Sequence, residues 1–195
     1  MKIYKIGIIG CGGIAQKMAA TLEKMKGVER YAVASRNQEK AEAFANKWGF
    51  TKAYGSYEEL ASDPEVDLIY IATPHAMHYD NAHMCIEKGK PVLCEKAFTA
   101  NARQAEDLLA FAKEKGVFIT EAIWTRYMPL SLKIQELLKE GVIGTPYTLS
   151  ANLSYPISNK ERIIRPELAG GALLDIGVYT LNFAAMAFGS DIAET

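Results

Sequence analysis

The chain has 195 residues, is 49% hydrophobic and 23% charged, and carries a formal net charge of −1 at pH 7. That length accommodates one large domain, or one domain with part of a second, and the balanced charge argues against nucleic acid or an anionic membrane as the main partner. No apolar run approaches the ~20 residues of a bilayer span, the run Ile6 to Ile9 is too short for a signal-peptide core, and Cys11, Cys85 and Cys94 are odd in number without metal-ligand spacing, so a cytoplasmic protein with reduced thiols is expected.

The chain opens with a β-branched apolar strand, Lys5 to Ile9, that runs into Gly10-Cys11-Gly12-Gly13-Ile14-Ala15 and then a helical pattern from about Ile14 to Met25. A Gly-x-Gly-x-x-Ala turn between strand and helix has the polarity of a dinucleotide-binding βα turn. Gly10 permits the tight turn, Gly12 lets backbone approach a pyrophosphate, and the small Ala15 lets helix pack on strand. The spacing then predicts a strand at Arg30 to Ala34 and a helix capped by Asn37 that reaches Trp48. A short strand at Ala53-Tyr54 precedes a helix with Ser56 and Glu59 in capping-box spacing. Leu68 to Ala72 is a continuous apolar strand, as expected when both sheet faces are covered. A helix from Met77 to Lys88 stops at Gly89, and strand Pro91 to Cys94 follows. Helix Asn101 to Lys115, ended by Gly116, precedes strand Val117 to Thr120. Such alternation predicts an α/β fold, a doubly wound, mostly parallel Rossmann sheet over residues 1–122.

The pattern changes over residues 123–195. Leu130 to Lys139 reads as an amphipathic helix, Tyr147 to Tyr155 alternates like a strand of an open sheet, Asn159 to Leu168 is irregular, and Gly170-Gly171 opens an apolar helix to about Phe188. One helix, one strand and another helix are too little to close a sheet-based domain around its own core.

Ligands of open parallel sheets bind beyond the carboxyl ends of the strands, and the reactive residue types collect there. After the second strand, where NAD enzymes usually place a carboxylate, the sequence reads Ser35-Arg36 with Lys40 a helical turn on. These residues suit a 2′-phosphate, so NADP is expected over NAD, the weaker alternative. Thr73-Pro74-His75, with His78 a turn later, ends the Leu68 strand. His75 and His78 are expected to line the ribose or nicotinamide region, His83 is an ordinary helix residue, and the three together lack metal-ligand spacing. Glu95-Lys96 ends the next strand, and Glu121 the last, with Trp124 and Arg126 just beyond. Lys96 could orient a substrate hydroxyl, with its pKa lowered by a neighbouring cationic nicotinamide; position alone favours a surface lysine. Asp175, Tyr179 and Asn182 share one face of an apolar helix. That stripe suits a proton-transferring tyrosine with an orienting aspartate, and equally a core tyrosine bonded to its neighbour.

Taken together, Ile8 to Ala15, Thr73-Pro74-His75 with His78, Gly89 to Lys96 and Gly170 to Tyr179 resemble the Gfo/Idh/MocA oxidoreductase family over the whole chain. Ala34-Ser35-Arg36, Ala53 to Leu60 and Glu121 to Arg126 look most like its branch of dimeric trans-1,2-dihydrodiol dehydrogenases and NADP-dependent D-xylose dehydrogenases. The resemblance implies that Gly10, Gly12, Gly13, Ile14 and Ala15 form the dinucleotide loop, and that Ser35 and Arg36 stand at the NADP-selective position. Thr73, Pro74, His75, His78, Glu95, Trp124 and Arg126 would also face cofactor. Lys96 would be the catalytic lysine, Asp175 the orienting aspartate and Tyr179 the proton-donating residue; Ala97 replaces the family's usual proline, which would leave Lys96 less rigidly held. The implied activity is hydride transfer between nicotinamide and a secondary alcohol of a sugar, cyclic polyol or trans-dihydrodiol. The family's second domain is an open, mainly antiparallel sheet that extends well past Thr195. The sequence therefore reads as the N-terminal part of such an enzyme, whose homo-oligomer would form through the C-terminal sheet. A chain ending there is expected to bind NADP, turn over little and self-associate. Two other readings remain: a cofactor-binding regulator without turnover, which retention of Lys96, Asp175 and Tyr179 disfavours, and a redox-assisted glycosidase with a tightly held NAD, which Arg36 disfavours.

Overall fold

The computed structural model describes residues 2–157, 159–189 and 191. The chain divides into two compact units, Met1–Ala122 and Ile123–Thr195.

In the first unit, strands β1 (Tyr4–Ile9), β2 (Val28–Ala34), β3 (Lys52–Tyr54), β4 (Leu68–Ile71), β5 (Val92–Cys94) and β6 (Ile119–Glu121) form one sheet in the order β3-β2-β1-β4-β5-β6. Every neighbouring pair is parallel, so all six strands end on the same edge. Helices α1 (Gly13–Lys24) and α2 (Gln38–Trp48) cover one face with Ala15, Ala19, Leu22, Phe44 and Ala45, packed with Ile8, Val33 and Tyr70. Helices α3 (Tyr57–Ser62), α4 (His78–Glu87) and α5 (Ala102–Lys115) cover the other with Leu60, Ala82, Ile86 and Leu108, packed with Ile9, Ile69 and Ile71. Neighbours along β4 therefore enter opposite cores, which is why both kinds of position are apolar.

Local chemistry fixes the helix ends where the sequence placed them. Asn37 and Asn101 cap α2 and α5 by accepting from the N–H of Lys40 and Gln104, and Ser56 and Glu59 form a reciprocal capping box. The register of β1 against β2 shifts between Ile6 and Gly7, so Tyr31 is an extra residue and lies with Ala32 in the same core. The strand pattern alone does not reveal this bulge.

The second unit holds a 3₁₀ turn at Trp124–Tyr127, α6 (Pro129–Lys139), α7 (Glu161–Ile164), a 3₁₀ turn at Pro166–Leu168, a π turn at Leu173–Gly177 and α8 (Val178–Phe188). The expected strand at Tyr147 to Tyr155 is not formed: the segment is irregular, with Tyr147 and Tyr155 88% and 59% exposed. A strand exists only against a ladder partner, and among the described residues every paired strand belongs to the first unit.

The expectation that no run reaches membrane-spanning length is also corrected. The segment Pro166–Phe188 has 23 residues and contains an 18-residue window of mean hydropathy 1.4, long and apolar enough to cross a membrane by length and composition. Asp175 and Asn182 interrupt the apolar string, and the backbone is non-helical at residues 169–171, where Ala169 and Gly171 have positive φ. Asp175 is buried and ion-paired with Arg162, an arrangement suited to a protein interior and costly in hydrocarbon.

Candidate cofactor site and proton-transfer residues

The sheet order reverses at β1, which has β2 on one side and β4 on the other. Gly10 stands at this switch point. Its N–H donates to Ala34 O at 2.9 Å, its φ is +99°, and a Cβ there would lie 2.9 Å from the carbonyl oxygen of Ala72. Glycine at this position is thus a demand of the fold. Gly12 is different. It precedes α1 with φ −79° and ψ −173°, and a Cβ would meet no atom within 4 Å. Packing does not call for glycine there, whereas close approach of a phosphate to free helix N–H groups does. Gly13 and Ile14 are exposed beside it, and Ala15 is buried against the sheet. The loop therefore fits a dinucleotide.

Ser35 and Arg36 follow β2 on the same edge. Ser35 is buried, its N–H bonded to Tyr54 O at 3.1 Å and its hydroxyl accepting from the N–H of Asn37 at 3.4 Å. Arg36 and Lys40 are exposed. Burial pushes the Tyr57 phenol above its usual range, and Arg36, within bonding reach, pulls it back. The Cys11 thiol is raised by burial against the influence of Lys40 and Ser35. Tyr57 and Cys11 thus join this group, and neither was singled out in the sequence, because their placement comes from β2, β3 and the glycine loop meeting in space.

Between the glycine loop and Lys96, which follows β5, lies the end of β4. The Thr73 hydroxyl accepts from Asn81 Nδ2 at 3.1 Å, and His75 is 7% exposed, with its ring 5.7 Å from that of His78. His78 does not line the cofactor region as the sequence suggested. It is fully buried, with Nδ1 2.8 Å from Ala97 O and Nε2 2.8 Å from Thr73 O. Each ring nitrogen faces a backbone carbonyl, a neutral ring donating to one of them, and the residue braces the β4 turn against the turn that carries Lys96. Burial holds its imidazole below its ordinary range while the two carbonyls oppose that shift.

Glu95 is likewise turned inward. Its buried carboxylate accepts from the Tyr70 hydroxyl and, at 3.2 Å, from the N–H of Lys96. Burial raises it above the usual carboxylate range, against the pull of the Tyr70 bond and of Lys96. It supports the turn instead of reaching a cofactor. Lys96 itself is half-buried and joined to Ala97 by a cis peptide. Glu121 closes the turn by accepting from the N–H of Phe98 at 2.9 Å.

Within the second unit, Tyr179 lies in the first turn of α8, and its phenol accepts from the indole N–H of Trp124 at 3.0 Å. That N–H is therefore directed at Tyr179, while Trp124 itself is 54% exposed; Arg126 is exposed in the same 3₁₀ turn. Asp175 is 2% exposed and paired with Arg162, a partner hidden in sequence because it lies in the polar, irregular stretch. Tyr179 and Asn182 line a pocket of about 230 Å³ with Arg126, Met128, Ile134 and Phe183. Among the described residues no group of three or more His, Cys, Asp or Glu comes together that could hold a metal.

A parallel sheet in this order, with a glycine loop at its switch point, defines a dinucleotide-binding protein of the doubly wound class. The chain belongs to the Gfo/Idh/MocA oxidoreductase family: the family's NAD-binding Rossmann domain matches residues 4–122, and its C-terminal domain matches residues 131–195. It is 44% identical to the NADP(+) D-xylose 1-dehydrogenase of Hypocrea jecorina, over 92% of this chain and 51% of that protein. It is 40% identical to the trans-1,2-dihydrobenzene-1,2-diol dehydrogenase of Xenopus tropicalis, over 98% of this chain and 58% of that protein. Among solved structures it resembles a 3-ketoreductase from Actinomadura kijaniata in complex with NADP, with a TM-score of 0.83 and 32% identity over 95% of this chain and 56% of that one. The chain thus spans little more than half the length of these proteins.

Proposed function

We propose that the protein is an NADP-dependent oxidoreductase acting on a secondary alcohol, or the corresponding carbonyl, of a sugar, cyclic polyol or trans-dihydrodiol. The observation that carries this reading is the order of groups along one sheet edge: Ser35 and Arg36 after β2, the glycine loop after β1, Thr73 after β4 and Lys96 after β5. A serine and a cation at one side, an anion-binding turn in the middle and a lysine at the other side match the parts of NADP in sequence. The relatives that are NADP-dependent or were solved with NADP support the same choice of cofactor.

Ser35, Arg36 and Lys40 would hold the 2′-phosphate, and Gly10, Gly12, Gly13 and Ile14 the pyrophosphate at the start of α1. The bound nicotinamide supplies hydride chemistry. By its family resemblance, Lys96 would orient the substrate hydroxyl and exchange its proton, Tyr179 would donate or accept a proton, and Asp175 would be the orienting aspartate. The free thiols of Cys11, Cys85 and Cys94 support a reducing, cytoplasmic location. Exposed apolar side chains of the second unit, among them Leu130, Leu173 and Leu181, support homo-oligomer formation through this region.

Fluorescence titration of NADP and NAD tests the cofactor assignment. NADP should bind more tightly, and Arg36→Asp should weaken it by ~1–3 kcal/mol, the scale of a lost charge-assisted bond, while sparing NAD. Equal affinities in the parent chain would remove the assignment. Lys96→Met, assayed in the whole protein over sugars and dihydrodiols, should retain NADP binding and lose ~10²-fold or more in rate.

A further inference from the structure

We propose that Trp124 is a positioning residue that sets the direction in which Tyr179 exchanges its proton. This rests on the reading of Tyr179 as the proton-transferring group.

Indole has a single polar hydrogen and no acceptor. Where Trp124 Nε1 lies 3.0 Å from the Tyr179 oxygen, the indole must be the donor and the phenol the acceptor. The bond joins residues 55 apart in sequence, and the two rings meet edge to face, 6.1 Å between centroids at 71°. Edge-to-face packing is a second contact between the two side chains, and with the hydrogen bond it ties the phenolic oxygen to the indole. Because one of its lone pairs receives the indole proton, its own O–H must point elsewhere. Tyr179 also lines the pocket formed with Arg126, Met128 and Phe183.

The electrostatic consequence has a definite sign. A donor aimed at the phenolic oxygen bonds more strongly to phenolate than to phenol, because hydrogen bonding to the charged form favours that form. Trp124 thus eases departure of the Tyr179 proton and turns its O–H away from the indole. The backbone contributes as well: a π turn at Leu173–Gly177 directly precedes α8 and sets the rotation at which Tyr179 enters the helix.

The test is ¹³Cζ-tyrosine NMR of the chain, with the Tyr179 resonance assigned among the ten tyrosines by its loss in Tyr179→Phe. Trp124→Phe, which keeps a ring and removes the donor, should raise the Tyr179 titration midpoint by about 0.5–1 pH unit, a net hydrogen bond divided by the free energy of one unit. Trp124→His, which restores an N–H, should recover part of the shift. In the whole protein, the acid limb of kcat/KM for alcohol oxidation should move upward with the same variant, with KM for NADP unchanged. A purely structural role would lower folded fraction without moving the midpoint. An unmoved midpoint in folded Trp124→Phe, or equal shifts in the Phe and His variants, would overturn the proposal. A Tyr179→Phe enzyme that keeps its rate would instead overturn the proton role of Tyr179 and take this proposal with it.

Discussion

Of the buried apolar side chains among the described residues, all but Ile123 belong to the first unit, whereas Leu130, Ile143, Tyr147, Leu173 and Leu181 of the second are each at least 60% exposed. Both units contain amphipathic helices; what separates them is the sheet. In the first unit six parallel strands give each helix an apolar face to pack on and satisfy each other's backbone. In the second, the described residues supply helices and an alternating segment at 147–155 with no ladder partner. Apolar pattern is therefore a necessary part of a core, and strand pairing is what turns it into one.

The largest effect that would sharpen this comparison comes from equal truncations in the two units. Ile71→Ala removes a side chain of zero exposure between β4 and its covering helices and should cost ~2–5 kcal/mol by urea unfolding. Leu181→Ala, at a position 60% exposed, should change stability by no more than ~0.5 kcal/mol. Comparable losses at both positions would show that the second unit has a core of its own.

Next is the glycine pair, which separates fold from ligand within one loop. Gly10→Ala forces a side chain into a positive φ and toward the Ala72 carbonyl, and should cost ~1–3 kcal/mol in stability. Gly12→Ala should leave stability within ~0.5 kcal/mol yet weaken NADP binding by roughly tenfold or more, ~1.4 kcal/mol. A Gly12→Ala chain with parental NADP affinity would break the assignment of this loop to the pyrophosphate.

The smallest expected effect is a pH dependence in the first unit. Asp63 is buried, and burial pushes its carboxyl upward. Bonds from the Tyr54 hydroxyl at 2.6 Å, Lys52 Nζ at 2.9 Å and the Glu65 N–H at 2.9 Å outweigh that and hold it at about 2. A carboxyl held below its unfolded value of ~3.9 contributes stability that is complete above that value and is lost as pH falls toward 2. Circular dichroism between pH 5 and 2 should show the first unit losing stability over that window. Asp63→Asn should flatten the loss and cost ~1–2 kcal/mol at neutral pH. Glu95 has the opposite sign: raised by burial, it costs stability as pH climbs above the usual carboxylate range, so Glu95→Gln should relieve that cost.

Much of the first unit was legible because its signals are local. Asn37, Ser56 with Glu59 and Asn101 start helices through bonds within four residues, and the continuous apolar run at Leu68 to Ala72 states that both of its faces are covered. The glycine loop was legible for the same reason: Gly10 answers a backbone angle and Ala15 a packing distance, and both constraints act on a single residue. The reactive types at the strand ends could be named because parallel strands all deliver their ends to one edge.

What those side chains do there was a tertiary matter. His78 and Glu95 carry the residue types of a ligand site, yet the fold sets both nitrogens of one against carbonyls 2.8 Å away and buries the carboxylate of the other against Tyr70. The Tyr31 bulge, the Arg162 partner of Asp175 and the Trp124 bond to Tyr179 join residues whose separation in sequence carries no periodic signal. Sequence by itself determined the sheet, the helix caps, the anion-binding turn and the family, since each depends on short-range sterics or hydrogen bonding. Only the tertiary structure decided which polar groups face outward for chemistry and which are used to hold the turns in place. That choice depends on who else is within 3 Å, and a buried donor or acceptor takes the nearest partner the packed chain offers.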